Sequence, residues 1–163
     1  MLTIRLATAQ DHDALWSIIQ PVIQTGDTYM YAPDTPREAM LATWLADTKH
    51  TYVAETDEQV VGTFFLCANQ PGLGAHVANA GYMVHPDQRG KGIARQLCLF
   101  SLDEARRLGF QALQFNAVVS TNTVAVRLWE QCGFSRVGTV PKAFRHQALG
   151  LVDTYVMYQW LGA

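Results

Sequence analysis

The sequence predicts one α/β domain of the α+β kind, a mixed sheet with helices on its faces. Three observations carry that expectation. The 163 residues are 49% hydrophobic and 16% charged, enough for one core, whereas a second domain would leave each half a thin one. The residue patterns give the order β-α-α-β-β-β-α-β-α-β-β, which counts seven strands. Three strands in succession followed by a βαβ unit require antiparallel and parallel pairs in one sheet, with helices to cover it.

Thr3 to Leu6 reads as the first strand. Thr8 offers an N-cap with Asp11 three residues on, and Ala14, Leu15, Ile18, Ile19 and Val22 follow at helical spacing. Pro21 is expected to kink or end that helix. Thr25 to Asp34 is a loop, and Thr35, Pro36 and Glu38 start a second helix with the stripe Met40, Leu41, Trp44 and Leu45. Thr51–Glu55 and Val60–Ala68 read as strands joined through Asp57 and Glu58, and a strand from about His76 to His85 follows the Pro71-Gly72 turn.

Gly92 to Leu108 is again helical, with Ile93, Leu97, Phe100 and Leu108 on one side and Gly109 as its stop. Leu113, Phe115 and Ala117 alternate with Gln114, Asn116 and Val118, the period of a strand. A helix from Asn122 to Cys132 ends at Gly133. Two strands, about Phe134 to Val140 and Val152 to Trp160, finish the chain.

Composition excludes several classes of function. A formal charge of −2 argues against a broad nucleic-acid face, which is usually basic. Three widely spaced cysteines form neither a disulfide framework nor a metal cluster, and as free thiols they imply a reducing, cytoplasmic setting. The five histidines are scattered, so no metal is expected. No apolar run approaches membrane-spanning length.

The most informative stretch is Val84-His85-Pro86-Asp87-Gln88-Arg89-Gly90-Lys91-Gly92-Ile93-Ala94. It leaves a strand, turns at a proline and enters a long helix. Its two glycines let a ligand approach the backbone closely, while the helix start and Arg89, Lys91 and Arg95 supply positive charge. Together they suit a pyrophosphate; a solvated basic helix start is the plainer alternative. A Walker loop is excluded because Gly92 follows Lys91. A dinucleotide fingerprint is excluded because Arg95 stands where its third glycine belongs.

The run R-x-x-G-x-A from Arg89 to Ala94, set between strand and helix, resembles the acetyl-CoA loop of the GCN5-related N-acetyltransferases (GNAT superfamily). Asn122, Ala125, Leu128, Glu130 and Gly133-Phe134 fit that family's second signature, N-x-x-A-x-x-L-[YW]-E-x-x-G-F. The resemblance covers nearly the whole chain and implies a mostly antiparallel sheet of seven strands with helices on both faces. It implies that the backbone of Met83 and Val84 binds the pantetheine arm and thioester of acetyl-CoA. The amides of Arg89, Gly90, Lys91, Gly92, Ile93 and Ala94 would hold the pyrophosphate beside Arg95, and Asn122 would bond the cofactor arm or the adjacent backbone.

Two departures from the family's pattern bear on chemistry. Trp129 stands at the cofactor-side position where many relatives keep a tyrosine acid, and an indole N–H is a donor but no useful acid. Asn79 stands near the position of a glutamate in the phosphinothricin-type acetyltransferases, so a general base is missing there too. The runs Asn79-Ala80-Gly81-Tyr82, Phe115-Asn116-Ala117-Val118 and Gly138 to Ala143 are similar to the proline-analogue (azetidine-carboxylate) N-acetyltransferases. Carried over, Asn79 and Asn116 become the catalytic-centre residues that orient the amine and a substrate carboxylate; Asn79 as a strand-bulge cap is the alternative.

Tyr29 and Tyr31, in the loop between the first helices, and Arg145, in the loop joining the last two strands, are candidates for substrate contact. The tyrosines could equally cover the core, and Arg145 could be an ordinary surface arginine. His85 is a lesser candidate base, and Cys98 reads as core packing. The expected activity is acetyl transfer from acetyl-CoA to a small amino or imino acid, without metal, membrane or nucleic acid, and a homodimer stays open. A peptide N-terminal acetyltransferase and a non-catalytic acetyl-CoA sensor are the rival readings.

Overall fold

The computed structural model describes residues 1–162. Strands β1 (Thr3–Leu6), β2 (His50–Thr56), β3 (Gln59–Ala68), β4 (Val77–Val84), β5 (Ala112–Val119), β6 (Ser135–His146) and β7 (Gly150–Trp160) form one sheet in the order β1-β2-β3-β4-β5-β7-β6. Every neighbouring pair is antiparallel except β4 and β5. Those two parallel strands are joined by helix α3 (Ile93–Arg107), as a βαβ crossover demands.

Helices α1 (His12–Gln24) and α2 (Arg37–Trp44) cover one face. Their buried Leu15, Ile18, Ile19, Ile23, Met40 and Trp44 pack with Val53, Phe65 and Met83. The opposite face carries α3 and α4 (Thr123–Gln131), with Leu97, Cys98 and Val126 against Phe64, Tyr82, Leu113 and Met157. Strand alternation explains why adjacent residues such as Tyr82 and Met83 serve different cores. Cys98 is fully buried there, and burial pushes its thiol well above the ordinary range, as a packing residue requires.

Several local expectations are corrected. Pro21 does not end helix α1, which runs on to Gln24. A proline forfeits one intrahelical bond, and the buried Val22 and Ile23 hold the last turn down. Thr8 caps a 3₁₀ turn, Ala9–Asp11, rather than α1 itself. Pro36 occupies the N-cap of α2, while Thr35 Oγ1 donates to the Ala32 carbonyl, 2.6 Å away, so the expected Thr35–Glu38 box does not form. Strand β6 does not stop at Val140 but resumes pairing at Phe144 after a register shift and ends at His146. The bulge takes up Pro141, which has no N–H to give to a ladder, and Lys142, whose φ is 53°.

Candidate active site

Strands β4 and β5 pair at only three positions, Val77–Asn79 against Ala112–Gln114, and then separate. A register shift after Phe115 lets β5 follow β7 away from β4. At the fork, Asn79 Nδ2 donates to the Gln114 carbonyl at 3.0 Å. Beyond it lies a cleft of about 640 Å³, within the usual range for small-ligand sites. The rings of Tyr82, Phe115 and Trp129, with centroids 5.0 to 5.8 Å apart, form a wall of the fork.

Backbone alternation decides which groups of β4 face this opening. The Val77 carbonyl accepts from Asn69 N–H, and His85 N–H donates to the Val61 carbonyl, so the odd-numbered residues bond toward β3. The even-numbered Ala80, Tyr82 and Val84 therefore turn their N–H and C=O groups toward the cleft. Of the two residues expected to meet a thioester arm, Val84 has its backbone free for it. The Met83 backbone is committed to β3. The Tyr29 hydroxyl bridges the Tyr82 backbone, accepting from its N–H at 3.0 Å and donating to its carbonyl.

The strand-to-helix loop opens at one end of the cleft. Pro86–Gln88 form a 3₁₀ turn, Gly90 and Gly92 have φ of 78° and 76°, and Gly92 is the N-cap of α3. Among the described residues, no acceptor meets the amides from Gly90 through Arg95. Arg89 N–H is different, being spent on the Pro86 carbonyl at 3.3 Å, so its amide does not join the cradle. A Cβ built on Gly90 or Gly92 would meet nothing within 4 Å, so the positive φ, rather than a crowded neighbour, is what asks for glycine there. Six free amides, a helix N-terminus and the side chains of Arg89, Lys91 and Arg95 match the charge and donor demand of a pyrophosphate. Arg89 and Ala94 also line the cleft, while Ile93 is buried beneath the loop.

On the far wall stand Tyr29 and Tyr31, their rings stacked at 6.0 Å. Burial pushes both hydroxyls above their ordinary range, so they remain protonated donors at neutral pH. Asn122 lines the cleft and caps α4, its Oδ1 accepting from Ala125 N–H at 3.3 Å. Asn79 and Asn116 line the cleft as well. Asn116 was expected inside an apolar strand, but the bulge exposes it, and it bonds Asn69 Oδ1 at 2.7 Å and Gln114 Nε2 at 3.1 Å.

The expected loop position of Arg145 is corrected. It lies in β6 opposite Leu151, exposed and outside the cleft lining, because β6 extends past the expected loop. His85 is also outside the lining; its Nδ1 accepts from Asp87 N–H at 3.2 Å and caps the 3₁₀ turn. One lining carboxylate went unnoticed in the sequence, Asp27 in the loop after α1. The Gly26-Asp27 pair signalled a turn, but which way a loop side chain faces is a tertiary fact.

A family model described as "Acetyltransferase (GNAT) family" matches residues 16–134. The chain belongs to the GNAT family. It is 42% identical to a GCN5-related N-acetyltransferase from Kribbella flavida, covering 98% of this chain and 97% of that one, with a TM-score of 0.92. It is also 40% identical over 104 residues to the N-acetyltransferase aca1 of Schizosaccharomyces pombe, 62% of this chain. The matched part spans about half of that relative, 48% of its length. The fold is shared with a GNAT superfamily phosphinothricin acetyltransferase from Sinorhizobium meliloti, solved in complex with acetyl-CoA, at 20% identity and a TM-score of 0.86, covering 99% and 89% of the two chains. Among the described residues of this GNAT protein, no helix is long and apolar enough to cross a membrane.

Proposed function

We propose that the protein is an acetyl-CoA-dependent N-acetyltransferase acting on a small amine, with amino and imino acids as the expected acceptors. The observation that carries this reading is the run of unpaired amides from Gly90 to Arg95 opening onto the β4–β5 fork. The amides and the side chains of Arg89, Lys91 and Arg95 bind the phosphates. The cleft-facing backbone of Val84 pairs with the pantetheine arm in place of a strand, and Trp129 and Asn122 border it from α4.

Bound acetyl-CoA supplies an activated acyl group, so the protein's share is orientation and stabilisation of charge on the carbonyl oxygen. Backbone N–H groups of the splayed β4 are the donors for that charge. The side chains of Asn79 and Asn116 orient the amine and a substrate carboxylate; neither amide takes a proton at neutral pH. Trp129 can donate a hydrogen bond but not a proton, which leaves protonation of the departing thiolate to water.

The experiment is a steady-state assay of thiol release with a panel of amines, amino acids, imino acids and N-terminal peptides. Turnover of small amines supports the proposal. Turnover confined to peptides overturns the acceptor class, and tight acetyl-CoA binding with no turnover for any amine overturns the catalytic reading.

A further inference from the structure

We infer that Asp27 is the acceptor-binding anion of this cleft, the residue that recruits the amine as its ammonium, which gives its proton to water before the free amine attacks. The inference rests on the acetyltransferase reading and names the chemistry of its acceptor end. Among the described residues, Asp27 is the only carboxylate lining the cleft, and Arg89 is the only lining group with a fixed positive charge. Arg89 belongs to the strand-to-helix loop and Asp27 to the loop after α1, so one cleft is lined by a cationic residue proposed for the phosphates and an anionic one suited to a cation.

Asp27 is half-buried and has no Lys, Arg or His within ion-pair distance. Its Oδ1 lies 2.5 Å from Thr25 Oγ1, whose single proton is shared with the Val22 carbonyl at 2.7 Å, a contact that leaves the carboxylate's charge intact. The loop around it is anchored on both sides. Before Asp27, the Gly26 carbonyl accepts from Gln147 N–H at 3.1 Å, tying the loop to the β6–β7 turn. After it, the Tyr29 hydroxyl is tied to the Tyr82 backbone. A carboxylate with no ion-pair partner, in a cleft otherwise lined by Arg89, asparagines, aromatic rings and aliphatic groups, favours a guest that carries a cationic group. The rings of Tyr29 and Tyr31 line the same cleft, and aromatic faces also attract cations.

The test compares two acceptors that the enzyme turns over, an alkylamine that is an ammonium ion at assay pH and an arylamine that is neutral there. Asp27→Asn should raise KM for the alkylamine about tenfold or more, the scale of one charged hydrogen bond. It should leave KM for the arylamine and for acetyl-CoA within about twofold, and Asp27→Glu should recover part of the loss. An equal rise for both amines, or a rise in the acetyl-CoA KM, would show that Asp27 only shapes the loop and would overturn the inference. An unchanged alkylamine KM overturns it as well. Failure of the wild-type protein to acetylate any amine counts instead against the acetyltransferase reading.

Discussion

At the scale of single residues, Gly92 joins backbone conformation to ligand access. Its φ of 76° lies where a side chain costs about 1–3 kcal/mol. The space a Cβ would enter holds no protein atom within 4 Å, and the unpaired amides around it are those proposed to hold the phosphates. Gly92→Val should therefore weaken acetyl-CoA binding by about tenfold or more while the protein stays folded, read by calorimetry alongside thermal melting. Asn116 separates chemistry from binding. Its amide hydrogen-bonds Asn69 and Gln114 rather than the Gly90–Arg95 loop or β4, so Asn116→Ala should lower kcat and leave acetyl-CoA affinity within about twofold; equal losses in both would remove it from the reaction centre. Much of this scale was legible. Gly92, Asn122 and the cation trio follow from motif spacing, because helix starts and glycine turns are local devices. The surroundings of Asn116 and Asp27 were not, since each depends on how distant segments meet.

At the scale of elements, β1 is fixed to the first turn and to β2 by charge. Arg5 donates to Asp11 Oδ1 and Oδ2, both at 2.9 Å, and to Glu55 Oε2 at 3.1 Å. Hydrogen bonding from Arg5 holds the Asp11 carboxyl down at about 2, against its ordinary 3.8. A depressed carboxylate stabilises the fold above its unfolded-state value and loses that contribution as pH falls through the folded one. The contribution is about 2 kcal/mol near neutrality and fades between about pH 4 and pH 2. Urea denaturation of the wild type and of Asp11→Asn should differ by about that amount near pH 6 and converge near pH 2. The helices at this scale were readable from their apolar spacing, α1 and α3 above all. The end of β6 was not, because Pro141 reads locally as a stop while the hairpin resumes after the bulge.

At the scale of the whole molecule, the Asp27 side of the cleft, proposed for the acceptor, is assembled from segments far apart in sequence. Gly26, with φ of 61°, faces Gln147 so closely that an added Cβ would lie 2.2 Å from its Cγ. Gly26→Val should destabilise the fold by about 1–3 kcal/mol and raise the acceptor KM, while acetyl-CoA affinity stays nearly unchanged. Thermal melting and the two KM values check this, and a matching loss of acetyl-CoA affinity would show that the two ends of the cleft are coupled. The sequence by itself determined the α+β class, the seven strands and the glycine-bearing turn into α3, because hydrophobic period, caps and glycine turns act over a few residues. Only the tertiary structure decided that β4 and β5 part after Asn79, that Val84 rather than Met83 offers its backbone, that Arg145 stays outside, and that Asp27 faces in. Each of those depends on register and on contacts between distant segments, and neither is written in local spacing.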